Sequence, residues 1–213
     1  MADHKLYIVM VGLPVRGKSV TAIKLRVKHR RASMNARIFN NGDLRRKMIP
    51  NNTSYAKFYD PKNKESVAIR EKIALINLHR AKRYLNKNGT VAIIDATNAS
   101  LERREGIENL LNDHPILFIE CINDDQEIVN TSLLRKISLP EFIHLSREES
   151  IDNFNQRIRY YESIYDPLNT EKNRVILDSL HTKILEEEIS DEIHLYDQIR
   201  DFLVTDTVKN LYI

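Results

Sequence analysis

The sequence predicts an α/β fold, a mostly parallel sheet covered by helices on both faces. Three observations predict it. Short, continuous apolar runs alternate with longer helical patterns along the 213 residues, the pattern of strands buried on both faces and linked by crossover helices. The first run leads into a glycine-bearing loop that opens a helix. The composition, 42% hydrophobic and 30% charged, is that of a globular chain able to bury a core. The length suits one domain over residues 1–213.

The elements follow in order. Lys5–Val11 reads as a strand, Lys18–Arg31 as a helix and Ala36–Asn40 as a short strand. Residues 40–64 carry Pro50, Pro61 and several Asn without strong periodicity, so they read as a functional loop and the expected substrate loop. Lys64–Asn86 is a long helix with Val67, Ala74, Leu78, Ala81 and Leu85 as its apolar stripe. Thr90–Ala96 is a strand, Ser100–Asn112 a helix, Ile116–Ile122 a strand and Asp125–Ile137 a helix. Ser146–Tyr165 is a further helix, residues 166–174 a loop and Val175–Leu180 a strand. Asp191–Val204 is the last helix, with Ile193, Tyr196, Ile199 and Phe202 at helical spacing, and residues 190–213 end in a strand-like tail.

Charge and cysteine content exclude several classes. Lys and Arg total 33 against 30 Asp and Glu, a net charge of +3, too small to mark a nucleic-acid or membrane-surface protein. Cys121 is the single cysteine, which excludes an internal disulfide framework and a multi-cysteine zinc site. The apolar residues 6–15 are too short to span a bilayer and lack a small-residue cleavage pattern. A cytoplasmic location is the expectation.

Two of only five glycines lie five residues apart in Gly12-Leu13-Pro14-Val15-Arg16-Gly17-Lys18-Ser19. This is G-x-x-x-x-G-K-[ST] between a strand and a helix, the context a phosphate loop requires. Glycine lets the backbone turn its N–H groups onto phosphates, and the helix N-terminus adds a favourable dipole. Residues Gly12 to Val20 are the expected nucleotide cradle, with Lys18 on the β- and γ-phosphates and Ser19 on Mg²⁺. A second carboxylate, Asp95, ends the strand before Ala96-Thr97-Asn98. There it faces the ligand crevice of an open α/β sheet, or else caps the next helix. Asn86-Lys87-Asn88-Gly89 lacks the Asp of the N-K-x-D guanine motif, so ATP is the expected donor.

Several cations sit where solvated charge is unexpected. Arg70 falls on the apolar stripe of its helix; it either meets an anion there or packs its stem and carries its head out to water. Arg45 and Arg46 follow Asn40-Asn41-Gly42-Asp43, and Arg103 and Arg104 follow the Asp95 segment. Lys136 ends a helix, where a cation also suits the dipole. Arg157 and Tyr161 share a helix face with Phe154 and Ile158. Beside a phosphate loop, these cations together point to an anionic acceptor.

These segments resemble 6-phosphofructo-2-kinase, the kinase half of a bifunctional kinase/bisphosphatase. The resemblance lies in Gly12–Ser19, Phe39-Asn40-Asn41-Gly42-Asp43-Leu44-Arg45-Arg46, Asp95-Ala96-Thr97-Asn98, Phe118-Ile119-Glu120, Lys136-Ile137-Ser138 and Arg157-Ile158-Arg159-Tyr160-Tyr161-Glu162. It implies an adenylate-kinase-like P-loop three-layer sandwich, with ATP and Mg²⁺ serving transfer of the γ-phosphoryl to the 2-hydroxyl of fructose 6-phosphate. It further implies that Lys18, Asp95 and Lys136 are catalytic and that Ser19 and Asp95 serve the metal. Arg45, Arg70, Thr97, Arg103, Arg157 and Tyr161 would hold the sugar phosphate. Asn123 replaces a family cysteine near the nucleotide, and Leu101 stands where the family usually has Arg. Leu211-Tyr212-Ile213 resembles the strand that leads into the family's phosphatase, but none of the seven His lies in an Arg-His-Gly motif, so no bisphosphatase activity is expected. Two alternatives stay open: a P-loop kinase with another acceptor, such as a polynucleotide 5′-hydroxyl, and a non-catalytic ATP-binding domain. The expected partner is a small phosphosugar, without nucleic acid or membrane; a homodimer is an open expectation.

Overall fold

The computed structural model describes residues 5–49 and 53–205. Six strands form one sheet in the order β2-β3-β1-β4-β5-β6. The strands are β1 (Leu6–Val11), β2 (Ala36–Asn40), β3 (Val91–Asp95), β4 (Ile116–Ile122), β5 (Asn173–Asp178) and β6 (Lys183–Ile189). The first five run parallel; β6 alone is antiparallel, against β5. All six residues of β1 are buried, because its side chains alternate between two cores. Leu6, Ile8 and Met10 meet Leu25 of α1 (Lys18–Arg31) and Leu203 of α7 (Tyr196–Val204). Tyr7, Val9 and Val11 meet Leu78 and Leu85 of α3 (Lys64–Asn86) and Ile107 of α4 (Leu101–Leu110). Leu133 of α5 (Gln126–Ile137) and Phe154 of α6 (Arg147–Glu162) form a third, smaller cluster with Phe142.

Side-chain caps set where most helices start. Asn63 accepts from the Ser66 amide, Ser100 from Arg103, and Asp125 from Glu127 and Ile128. Ser146 and Glu149 form a reciprocal capping box at α6, each side chain satisfying an otherwise orphaned helix donor.

The structure corrects the sequence reading in three places. Residues 40–64 are not simply loop: Asn41–Met48 is a helix, α2, and Ala56–Tyr59 a short 3₁₀ helix. Polar and charged residues dominate α2, so no apolar stripe announces it, and its start is set by the cap at Asn40. The strand β6 was not expected; its run of glutamates hides it, yet Glu186 and Glu188 pair with Arg174 on β5. The last helix begins at Tyr196 rather than Asp191, because Asn173 ties the backbone and side chain of Asp191 to the sheet. The expected strand-like tail lies mostly outside the described residues. Among those described, no helix is long and apolar enough to cross a membrane.

Candidate active site

The carboxyl ends of β1, β2 and β3 open into a cavity of about 510 Å³. Between β1 and α1 the chain turns through left-handed conformations at Gly12 (φ 129°), Val15 (φ 57°) and Gly17 (φ 85°). A Cβ on Gly12 would lie 2.5 Å from the Cys121 carbonyl oxygen, and one on Gly17 the same distance from Ser179 Oγ. Glycine is therefore required at both places by conformation and by space. The Ser179 hydroxyl, from the turn after β5, donates to the Arg16 carbonyl at 2.8 Å and braces the loop from beneath. Pro14, Val15, Lys18 and Ser19 line the cavity. Gly12, Leu13, Arg16 and Gly17 form the loop's frame, while Val20 turns its side chain outward, 50% exposed.

Lys18 is buried, and its ammonium donates to the Leu13 carbonyl. Burial pushes its pKa down to about 8, against the opposing pull of Asp95; Arg157 and Lys136 push it the same way as burial. Lys136 is likewise lowered, chiefly by burial, and held up by Asp95. Lys18, Asp95, Lys136 and Arg157 all line the one cavity.

Asp95 ends β3, buried, in register with Asn40 at the end of β2. The Asn40 amide donates to Asp95 Oδ2 at 2.5 Å, and Asn40 Oδ1 accepts from the Asp43 amide at 2.8 Å. One side chain thus aims the carboxylate and caps α2. Asp95 lines the cavity, and the cap of α4 is Ser100. Thr97 lines the cavity and gives its carbonyl to the Gly12 amide at 3.1 Å. Asn98, at φ 44°, anchors this segment by donating to the Met10 carbonyl at 2.8 Å.

Arg45, Arg70, Arg103, Arg157 and Tyr161 all line the cavity. Arg70, half-buried, lines the cavity and donates to the Phe58 carbonyl. Arg45 is buried against Glu141, and burial with the nearby Arg157 lowers its pKa to about 10. Arg103 pairs with Glu71. Arg104 behaves differently from its neighbour: it is 1% exposed, paired with Glu171, and donates to the carbonyls of Asn98 and Ala99 behind the site. In all, eight cationic side chains and four carboxylates face the cavity, an excess that favours anionic ligands.

Sequence reasoning missed three residues. Asn40 stands in the Asn40-Asn41-Gly42-Asp43 segment, but its link to Asp95 depends on strand register. Glu141 pairs with both Arg45 and Arg46 from a 3₁₀ turn, Pro140–Phe142. Tyr59 is buried beside three guanidinium groups; it lies in the stretch read as loop, where no periodicity marks a core residue.

A family profile described as 6-phosphofructo-2-kinase matches residues 1–211. The chain belongs to the 6-phosphofructo-2-kinase family. A protein of Schizosaccharomyces pombe named "Probable 6-phosphofructo-2-kinase" is 36% identical over 170 residues, covering 78% of this chain and 25% of its own length. The 6-phosphofructo-2-kinase/fructose-2,6-bisphosphatase 3 of Rattus norvegicus is 38% identical over 176 residues, 81% of this chain and 32% of that protein. The chain thus spans about a quarter to a third of the length of these curated relatives. Among solved structures, Kti12 of Chaetomium thermophilum in complex with ADP-AlF3 aligns at a TM-score of 0.55 and 18% identity over 93% of this chain and 100% of that one. The APS kinase CysC of Mycobacterium tuberculosis in complex with AMPPNP and APS aligns at 0.51 and 15% identity, over 94% and 98%. At those identities the likeness carries the fold alone.

Proposed function

We propose that this member of the 6-phosphofructo-2-kinase family transfers the γ-phosphoryl group of ATP to the 2-hydroxyl of fructose 6-phosphate, giving fructose 2,6-bisphosphate. The observation that carries the reading is the shared cavity: a phosphate loop with Lys18 and Ser19, a buried Asp95, and the cluster Arg45, Arg70, Arg103 and Arg157. A phosphate loop alone accounts for ATP. The additional arginines account for a second phosphorylated substrate, since guanidinium matches phosphate geometry.

In this reading Lys18 meets the β- and γ-phosphates, and their charge restores the proton affinity that burial removes. Asp95 accepts the proton of the attacking hydroxyl, held in place by Asn40. Lys136 neutralises charge on the transferring phosphoryl group. Arg45, Arg70, Arg103 and Arg157, with Thr97 and Tyr161, hold the sugar phosphate so that its hydroxyl sits in line with the γ-phosphorus. Phosphoryl transfer needs chiefly positioning and charge stabilisation, and these residues supply both.

Ser19 and Asp95 fit Mg²⁺, which keeps several waters and takes one or two protein oxygens together with substrate phosphates. Among the described residues no three His, Cys, Asp or Glu side chains gather into an all-protein metal cage. When bound, Mg²⁺ would offset the negative charge of the nucleotide phosphates.

ADP release with a panel of hexose phosphates, unphosphorylated sugars and 5′-hydroxyl oligonucleotides tests the proposal. Turnover confined to phosphosugars, with fructose 6-phosphate preferred, is the expected result. Equal turnover of fructose and fructose 6-phosphate, or preference for an oligonucleotide, would overturn it.

A further inference from the structure

The arginines of the cavity pose an electrostatic problem. Arg45, Arg70 and Arg157 share one region, and among the described residues only Glu141 forms an ion pair with any of them there. Like charges held together in a dry site repel strongly. A carboxylate for each would hold them, but it would also cancel the charge that an anionic substrate needs.

Tyr59 offers another solution. The Arg157 guanidinium carbon lies 3.9 Å from the centroid of the Tyr59 ring, with Arg45 at 5.7 Å and Arg70 at 5.9 Å. All three fall within the range in which the negative face of an aromatic ring attracts a cation. The ring carries no net charge, so it holds the guanidinium groups without discharging them. Tyr59 is itself fixed. It is 4% exposed, meets Phe58 edge-on at 5.2 Å and lies 6.1 Å from Tyr161. Its 3₁₀ helix is pinned to α6 where the Ala56 amide donates to Asn153 Oδ1 at 2.8 Å. Ser54 and His144 add a second tie at 3.2 Å. The Tyr59 hydroxyl is buried with no hydrogen-bond partner among the described residues, so the ring and not the hydroxyl does the holding.

We infer that Tyr59 is a positioning residue for the acceptor site, whose aromatic face sets the guanidinium groups of Arg157, Arg45 and Arg70 to receive the phosphate of the substrate. This rests on the phosphosugar reading for its substrate but not for its geometry. Tyr59→Phe keeps the ring and removes an unpartnered hydroxyl. Tyr59→Leu removes the ring at comparable bulk.

Two measurements on the full chain test it. The first is the Nε–H proton resonance of Arg157 in ¹H–¹⁵N spectra, which the ring current of Tyr59 displaces. The displacement should persist in Tyr59→Phe and vanish in Tyr59→Leu. The second is steady-state kinetics. Tyr59→Leu should raise the KM for fructose 6-phosphate by about tenfold or more, the size of a desolvated cation–π contact. Its KM for ATP should stay at the wild-type value, and Tyr59→Phe should match wild type in both. Equal acceptor KM in Tyr59→Leu and wild type would overturn the inference. So would an equal loss in Phe and Leu, which would transfer the role to the hydroxyl, or a matching rise in the KM for ATP, which would mark a general structural loss. If wild type fails to use fructose 6-phosphate, the function reading fails alone; the Arg157 resonance still decides whether the ring holds the cluster.

Discussion

Asn40→Asp changes one amide to a carboxylate of the same shape and tests whether Asn40 aims Asp95. The cap on α2 survives, because Asp accepts from the Asp43 amide as Asn does. The donor to Asp95 is lost, and two carboxylates face each other where an amide and a carboxylate lay at 2.5 Å. If they relax to about 4 Å, two full charges repel by about 4 kcal/mol at an effective dielectric of ~20. That is about 3 pKa units. One proton of the pair should therefore be retained to about pH 7, while the unfolded chain releases it near pH 4. Between those values the native state binds more protons than the unfolded state, so stability falls as pH rises. Urea unfolding of Asn40→Asp should show a stability deficit that is small at pH 4 and grows by about 4 kcal/mol toward pH 8, relative to wild type. The swap Asn40→Asp with Asp95→Asn restores an amide–carboxylate pair and should remove this dependence while remaining inactive. A single variant whose deficit is the same at both pH values would refute the pairing.

Other consequences follow from the same geometry. Burial lowers the Lys18 pKa to about 8, so nucleotide phosphates should draw a proton onto Lys18 as they bind. Calorimetry at pH 8.5 in buffers of different ionisation heat should detect uptake, and ATP affinity should weaken above pH 8. Gly12→Ala forces a Cβ to 2.5 Å from the Cys121 carbonyl oxygen at φ 129°. The backbone strain alone costs ~1–3 kcal/mol, so thermal unfolding should shift down and ATP binding should be lost. Arg104→Met leaves Glu171 as an unpaired buried charge, and breaking such a pair costs ~3–5 kcal/mol; urea unfolding should report that loss. Arg157→Ala should raise the KM for fructose 6-phosphate far more than the KM for ATP in steady-state assays.

The parallel sheet was legible because its strands are continuous apolar runs, and β1 is the clearest, buried along its whole length. The phosphate loop was legible because its glycines answer to strict steric demands at Gly12 and Gly17. Arg70 was a readable anomaly, a charge on an apolar stripe. What stayed hidden depends on contacts between distant segments. The bond from Asn40 to Asp95 spans 55 positions and exists only because β2 and β3 pair in register. Arg103 and Arg104 are adjacent and chemically alike, yet one lines the cavity and the other lies beneath it with Glu171; helix rotation decides, and composition does not record it. The strand β6 stayed hidden because an edge strand with one exposed face need not be apolar.

The central claim is that the arginine cluster presents a phosphosugar with its 2-hydroxyl toward ATP. Phosphorus NMR of the product tests it most directly, because C2 of fructose carries no hydrogen. With ATP and fructose 6-phosphate, the new phosphoryl group should appear as a signal without coupling to a proton on its own carbon, beside the retained 6-phosphate. A new signal split by carbon-bound protons, or no new phosphoester, would contradict the claim.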